Sequence, residues 1–69
     1  MSKDRIQKII NDIYDVASDL ECDNQEYFMM YRNDEISPEE YDEKSSEISK
    51  QLNALEKAHN ALLVLTTLL

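Results

Sequence analysis

The chain contains no glycine, no tryptophan, one proline (Pro38) and one cysteine (Cys22) in 69 residues. Each shortage excludes something. Without glycine, few positions accept a left-handed backbone, so tight β-turns and phosphate-cradling loops have no natural place. The chain has neither a P-loop nor a G-x-G-x-x-G fingerprint, and nucleophile elbows and oxyanion nests also lean on glycine. That one absence removes most enzyme classes, and the expectation is a protein with no catalytic residues and no cofactor. A single cysteine forbids an internal disulfide and suits a reducing compartment. Cys22 and His59 are the only soft metal ligands, and no CxxC or HxxxH spacing is present to hold zinc. Long apolar runs are missing too. The longest, Ala61 to Leu65, is far too short to span a membrane, and Met1 to Ile6 lacks the core of a signal peptide. The expected setting is the cytoplasm of a bacterial or phage-infected host cell, with no membrane contact.

A chain of this length is a single domain, 1–69, and buries only about 60% of its unfolded surface. Small scaffolds of this kind rely on a disulfide, a metal, unusually regular helix packing or a second chain. With the first two excluded, association becomes the default expectation.

Periodicity points to two helices. Over residues 3 to about 31, Ile6, Ile10, Ile13, Ala17, Leu20, Tyr27 and Tyr31 alternate at spacings of four and three. This is a heptad seam, with Ile6, Ile13, Leu20 and Tyr27 at d and Ile10, Ala17, Asn24 and Tyr31 at a. A polar turn over 32–37 follows. Ser37 then caps a second helix from Pro38 to about 67. Proline suits the first helical position, Glu40 completes a capping box, the early acids favour the positive helix end, and Ile36 is placed to staple onto Tyr41. The second seam carries Tyr41, Ile48, Leu55, Leu62 and Leu69 at d and Ser45, Leu52, His59 and Thr66 at a. The predicted fold is all-α: an antiparallel two-helix hairpin, completed by self-association into a four-helix bundle or by a partner helix. Closing it near Asp34 sets Ile6 against Leu62, Ile13 against Leu55 and Leu20 against Ile48. It also sets Asn24 beside Ser45, which predicts one buried polar layer that fixes the alignment.

Charge is unevenly spread. The chain carries 15 acids against 7 bases, a net of −8. From Asp12 to Glu43 there are twelve acids and one base, Arg32, a net of −11; residues 1 to 11 carry +2 and residues 44 to 69 carry +1. Asp12, Asp15, Asp19, Asp23 and Glu26 form a row on the first helix. Asp34, Glu35, Glu39, Glu40, Asp42 and Glu43 surround the turn. Acids on solvated faces serve solubility first. A sharper reading makes them a docking surface for a basic protein. Direct nucleic-acid binding is not expected, because neutralising phosphates takes a basic patch. The acids near the turn lack EF-hand spacing, and capping accounts for the glutamates. His59, on the seam with no nucleophile beside it, is expected to be a packed residue.

Two clusters exceed what one seam needs. Ala58, Ala61, Leu62, Leu63, Val64, Leu65, Leu68 and Leu69 place apolar groups on nearly every face of the last turns, and Ile9 and Val16 add to one flank of the first helix. A surplus this broad marks an interface. Phe28, Met29, Met30 and Tyr31 encircle the first helix near the turn, where methionine and aromatics suit either an adaptable contact or ordinary edge packing with Tyr27 and Tyr41.

The pattern Pro38-Glu39-Glu40-Tyr41, followed by Ala54-Leu55-Glu56-Lys57-Ala58 and a closing apolar turn, resembles the small hairpin co-chaperones of type III secretion needle subunits. The resemblance runs mainly over residues 36 to 65. It implies a hairpin that covers a partner's helix, and it transfers no functional residue to this chain. The residues themselves favour a non-enzymatic regulator or inhibitor that occupies a surface of a larger protein, in the size and style of phage and mobile-element inhibitors. The alternatives are a structural adaptor or co-chaperone and, below both, an acidic mimic of nucleic acid. The expected partner is another protein, basic if the acids do the docking, in a homodimer or a hetero-complex.

Overall fold

A computed structural model describes residues 2–69 as two helices, α1 (Lys3–Arg32) and α2 (Pro38–Leu68), packed against each other as an antiparallel hairpin. The all-α hairpin expected from the heptads is the observed fold, and each helix runs one residue further than the periodicity indicated. The body is a rod of 50 × 15 × 12 Å. Both chain ends lie at one end of it and the turn lies at the other.

The seam is the core. Ile6, Ile10 and Ile48 are buried. Ile13, Ala17, Leu20, Asn24 and Tyr27 on α1 are half-buried, as are Tyr41, Ser45, Leu52, Leu55, His59, Leu62 and Thr66 on α2. Two seam positions depart from expectation. Tyr31 is 38% exposed and Leu69 is 55% exposed. Each stands in the outermost layer of the rod, with a neighbour on one side only, and Leu69 has already left the helix as its C-cap. Met30 and Ile36, off the seam, are half-buried in their place beside the turn.

Local chemistry fixes the helix ends. Ser2 accepts a hydrogen bond from the Arg5 N–H at 3.3 Å and starts α1. Ser37, extended at φ −74° and ψ 159°, accepts from the Glu40 N–H at 3.1 Å with Pro38 at the first helical position, so the serine half of the expected capping box is formed. Thr66, a polar residue on the seam, turns its hydroxyl back onto the Leu62 carbonyl at 2.9 Å and so buries no unpaired group.

The turn corrects an expectation drawn from the missing glycine. Asp34 adopts φ 60°, the left-handed region that a chain without glycine was expected to avoid. This conformation closes α1: the Glu35 N–H donates to the Met30 carbonyl at 2.8 Å, and the Asp34 N–H donates to the Tyr31 carbonyl at 3.1 Å. The two bonds satisfy carbonyls that the helix end would leave open. Aspartate tolerates the left-handed region better than most residues, yet its Cβ still crowds the following carbonyl at roughly 1–2 kcal/mol. Asp34→Gly is therefore expected to raise the unfolding free energy by about 0.5–1 kcal/mol, after allowing for the larger unfolded-state entropy of glycine. Asp34→Val should lower it. Thermal melting followed by circular dichroism reads both, and a glycine variant no more stable than the parent would contradict this account of the turn.

Candidate protein-binding surface

A two-helix hairpin has two broad flanks beside its seam and one outward stripe on each helix. The heptad assigns every side chain to one of them, and the grooves between the helices confirm which residues share a flank.

On the first flank Tyr14 meets His59 edge-to-face, with ring centroids 5.1 Å apart. Together with Ile13, Ala17, Leu52 and Glu56 they line a shallow groove of about 290 Å³. His59 is half-buried and packed against an aromatic ring, as expected for a seam histidine. Tyr14 pays for that contact by standing largely exposed. On the opposite flank Val16, Leu20, Gln51, Ala54 and Leu55 line a more open, mostly apolar depression of about 420 Å³. Ala54 did not stand out in the sequence. A lone exposed alanine has almost no hydropathic signal, and only its spacing of four and seven residues from Ala58 and Ala61 could have drawn it out.

At the turn end the aromatic residues pack on each other. Tyr41 stacks on Tyr31 with centroids 4.9 Å apart and an interplanar angle of 14°, and Phe28 meets Tyr41 edge-on at 6.2 Å. The Lys44 ammonium sits 5.9 Å above the Tyr27 ring, a contact worth about 0.5–1 kcal/mol at an exposed site. Of the Phe28 to Tyr31 cluster, Met30 turns inward, Phe28 and Tyr31 are held by Tyr41, and only Met29 is a free outward side chain. Edge packing of the turn absorbs most of this cluster.

The acidic residues Asp12, Asp15, Asp19, Asp23, Glu26, Asp34, Glu35, Glu39, Glu40, Asp42 and Glu43 are all exposed. The hairpin gathers them along the outer face of α1 and round the turn. Among the described residues no group of three His, Cys, Asp or Glu side chains is arranged to hold a metal ion. Among the same residues no helix is long and apolar enough to cross a membrane.

The terminal end is where apolar side chains remain uncovered. Leu68 is 77% exposed, Val64 61% and Leu63 46%; Leu65, Ala58, Ala61, Ile9 and Val16 are exposed as well. Leu62 needs correction. It was grouped with the free apolar surface, but it is half-buried on the seam and belongs to the hairpin's own core. Its position at d commits it to α1, and substituting it would test folding rather than binding.

The polar layer also differs from expectation. Asn24 and Ser45 are both half-buried on the facing seams, yet the Asn24 Oδ1 is buried with no hydrogen-bond partner. The layer exists as a burial site and not as a bonded pair. An unsatisfied buried acceptor is destabilising by about 1–3 kcal/mol, so Asn24→Leu is expected to raise the unfolding free energy by roughly that amount while relaxing the preference for one alignment. Urea unfolding measures the first effect. A leucine variant less stable than the parent would mean that Asn24 is satisfied after all.

No protein-family model, curated protein or solved structure matches this chain, so the reading of its surface rests on its own residues.

Proposed function

We propose that the chain is a non-enzymatic protein-binding regulator or inhibitor that acts by occupying a surface of a larger protein. The observation that carries this reading is the terminal end, where Leu63 and Val64 on α2 stay 46% and 61% exposed. Burial of a leucine or valine side chain contributes about 1.5–3 kcal/mol, so this pair alone is a substantial contact. The acids have the supporting role: they steer approach to a basic rim and keep the free protein dispersed. One feature favours the adaptor variant of the same reading. Exposed Val64, Ala61, Leu65 and Leu68 recur at helical spacing on α2, a shape suited to receiving a partner's helix rather than a loop. Nothing comparable supports the nucleic-acid mimic, whose charges would need to be spread along the rod and not gathered at one end.

The test is capture of partners from the native host by the parent chain and by two variants. Leu63→Asp with Val64→Asp changes only exposed residues, so the fold survives, and at least about tenfold weaker binding is expected from the lost burial. Asp15→Lys with Asp19→Lys is expected to weaken binding less, with a difference that shrinks as salt rises because exposed charges are screened over about 10 Å at 0.1 M. Full binding by the aspartate pair would exclude the apolar end as the contact.

A further inference from the structure

We infer that the face of α2 formed by Ala54, Ala58, Ala61, Leu65 and Leu68 is a second helix seam, and that its occupant is a second copy of this chain packed antiparallel across a two-fold axis at Ala61. The five residues recur at spacings of four and three, the same heptad rhythm as the intramolecular seam. At 3.6 residues per turn they fall roughly 100° round the helix from Ile48, Leu55 and Leu62. All five are exposed, with Leu68 at 77% and Leu65, already partly covered, at 38%.

The stripe is complementary to itself. Leu68 and Ala54 lie seven residues to either side of Ala61, and Leu65 and Ala58 lie four and three. Turning a second α2 end for end about Ala61 brings each leucine opposite an alanine, at heights matched to within about one residue rise of 1.5 Å. Large meets small in both outer layers and two alanines meet on the axis, where the helices approach most closely. A two-fold contact requires one patch that fits its own copy, and the placing of both leucines on one side of Ala61 and both outer alanines on the other meets that requirement. The stripe also ends where the overlap ends. Continuing the heptad towards the turn gives Gln51, Glu47 and Lys44 in place of apolar residues.

Charge agrees with the same occupant. Up to Val16 the first helix carries Lys3, Arg5 and Lys8 against Asp4, Asp12 and Asp15, and from Ala54 onward the second carries Glu56 against Lys57. The half of the rod that overlaps is therefore neutral, and the whole net charge of −8 lies in the other half. The antiparallel arrangement sends the two acidic ends in opposite directions. Two copies thus associate without the self-repulsion that their total charge would otherwise impose.

A compact folded chain of 8.1 kDa exposes about 4,500 Å², whereas this one exposes 5410 Å². The excess of about 900 Å² reflects the rod shape of a single-seam hairpin, and pairing two copies side by side over their apolar halves reduces it. Val16 shares its depression with Ala54, so the first helix continues the contact surface across the flank and the product is a four-helix bundle over the terminal halves. Leu63 lies on the far side of α2 from this face, while Val64, three residues from Ala61 and four from Leu68, borders it. The dimer is tested on the purified chain alone, so its test is independent of the partner reading.

Sedimentation equilibrium of the full chain at micromolar concentration is expected to give twice the 8.1 kDa monomer mass. Ala61→Glu, which sets two carboxylates on the axis, is expected to raise the dissociation constant at least about 100-fold, since burial of unpaired charge is strongly unfavourable. Disulfide trapping locates the axis. With the exposed native thiol removed as Cys22→Ser, Ala61→Cys should oxidise to a covalent dimer, while Asn60→Cys on the neighbouring face should not. A parent chain that remains monomeric, a dimer indifferent to Ala61→Glu, or trapping through Asn60→Cys in place of Ala61→Cys would each overturn the proposal.

Discussion

Two helices laid side by side share one seam, and that geometric limit governs this protein. Each helix has only one stripe that its neighbour can cover, so a hairpin buries at most two rows of side chains. Here those rows are filled almost to the letter of the heptad, yet among the described residues only Ile6, Ile10 and Ile48 are buried. The remaining seam residues keep an edge in water because there is no third element to close the flanks. A globular chain of this size has a radius of gyration near 11 Å, whereas this rod reaches 15.7 Å. The long, thin body follows directly from having a single seam.

That limit explains the arrangement of the two ends. Near the turn, short connections and aromatic stacking close the structure locally: Tyr41 bridges Phe28 and Tyr31, and the backbone of Asp34 and Glu35 seals the end of α1. Acids then cover most of the outside, with Met29 and the outer edges of Phe28 and Tyr31 left exposed. At the termini there is no connection to close the end, and α2 carries aliphatic groups on more faces than α1 can reach. A bundle of three or four helices would bury these groups; in the hairpin they stay exposed.

Much of this was legible in the sequence, for a physical reason. Spacing is a one-dimensional record of which side chains face a neighbour, so Ile6, Ile13, Leu20, Ile48 and Leu55 could be placed on the seam before any coordinates. The Ser37-Pro38 start of α2 was equally plain, because capping is decided within four residues. What the pattern hid was of three kinds. Asp34 took a left-handed conformation to close the end of α1 through local backbone hydrogen bonds, where composition argued against one. Asn24 kept its seam position without the partner that sequence pairing implied, since hydrogen bonding depends on side-chain reach and not on register alone. Leu62 was counted in both the core and the free surface, and only burial assigns it to the first. The candidate site was the less legible part: apolar surplus near the C-terminus was visible, but its division into a committed seam, a self-complementary stripe and an outward pair required knowing which flank of the rod each residue occupies.

The central claim is that this hairpin is thermodynamically incomplete as a single copy and is completed by association of its apolar half. Association stabilises the folded state by mass action, so the claim makes thermal stability depend on protein concentration. The direct measurement is the midpoint of thermal unfolding of the purified chain, followed by circular dichroism over a wide range of concentration. The account predicts a midpoint that climbs steadily as the protein is concentrated. A reversible transition whose midpoint stays fixed throughout that range would show that the lone hairpin is complete, and would contradict it.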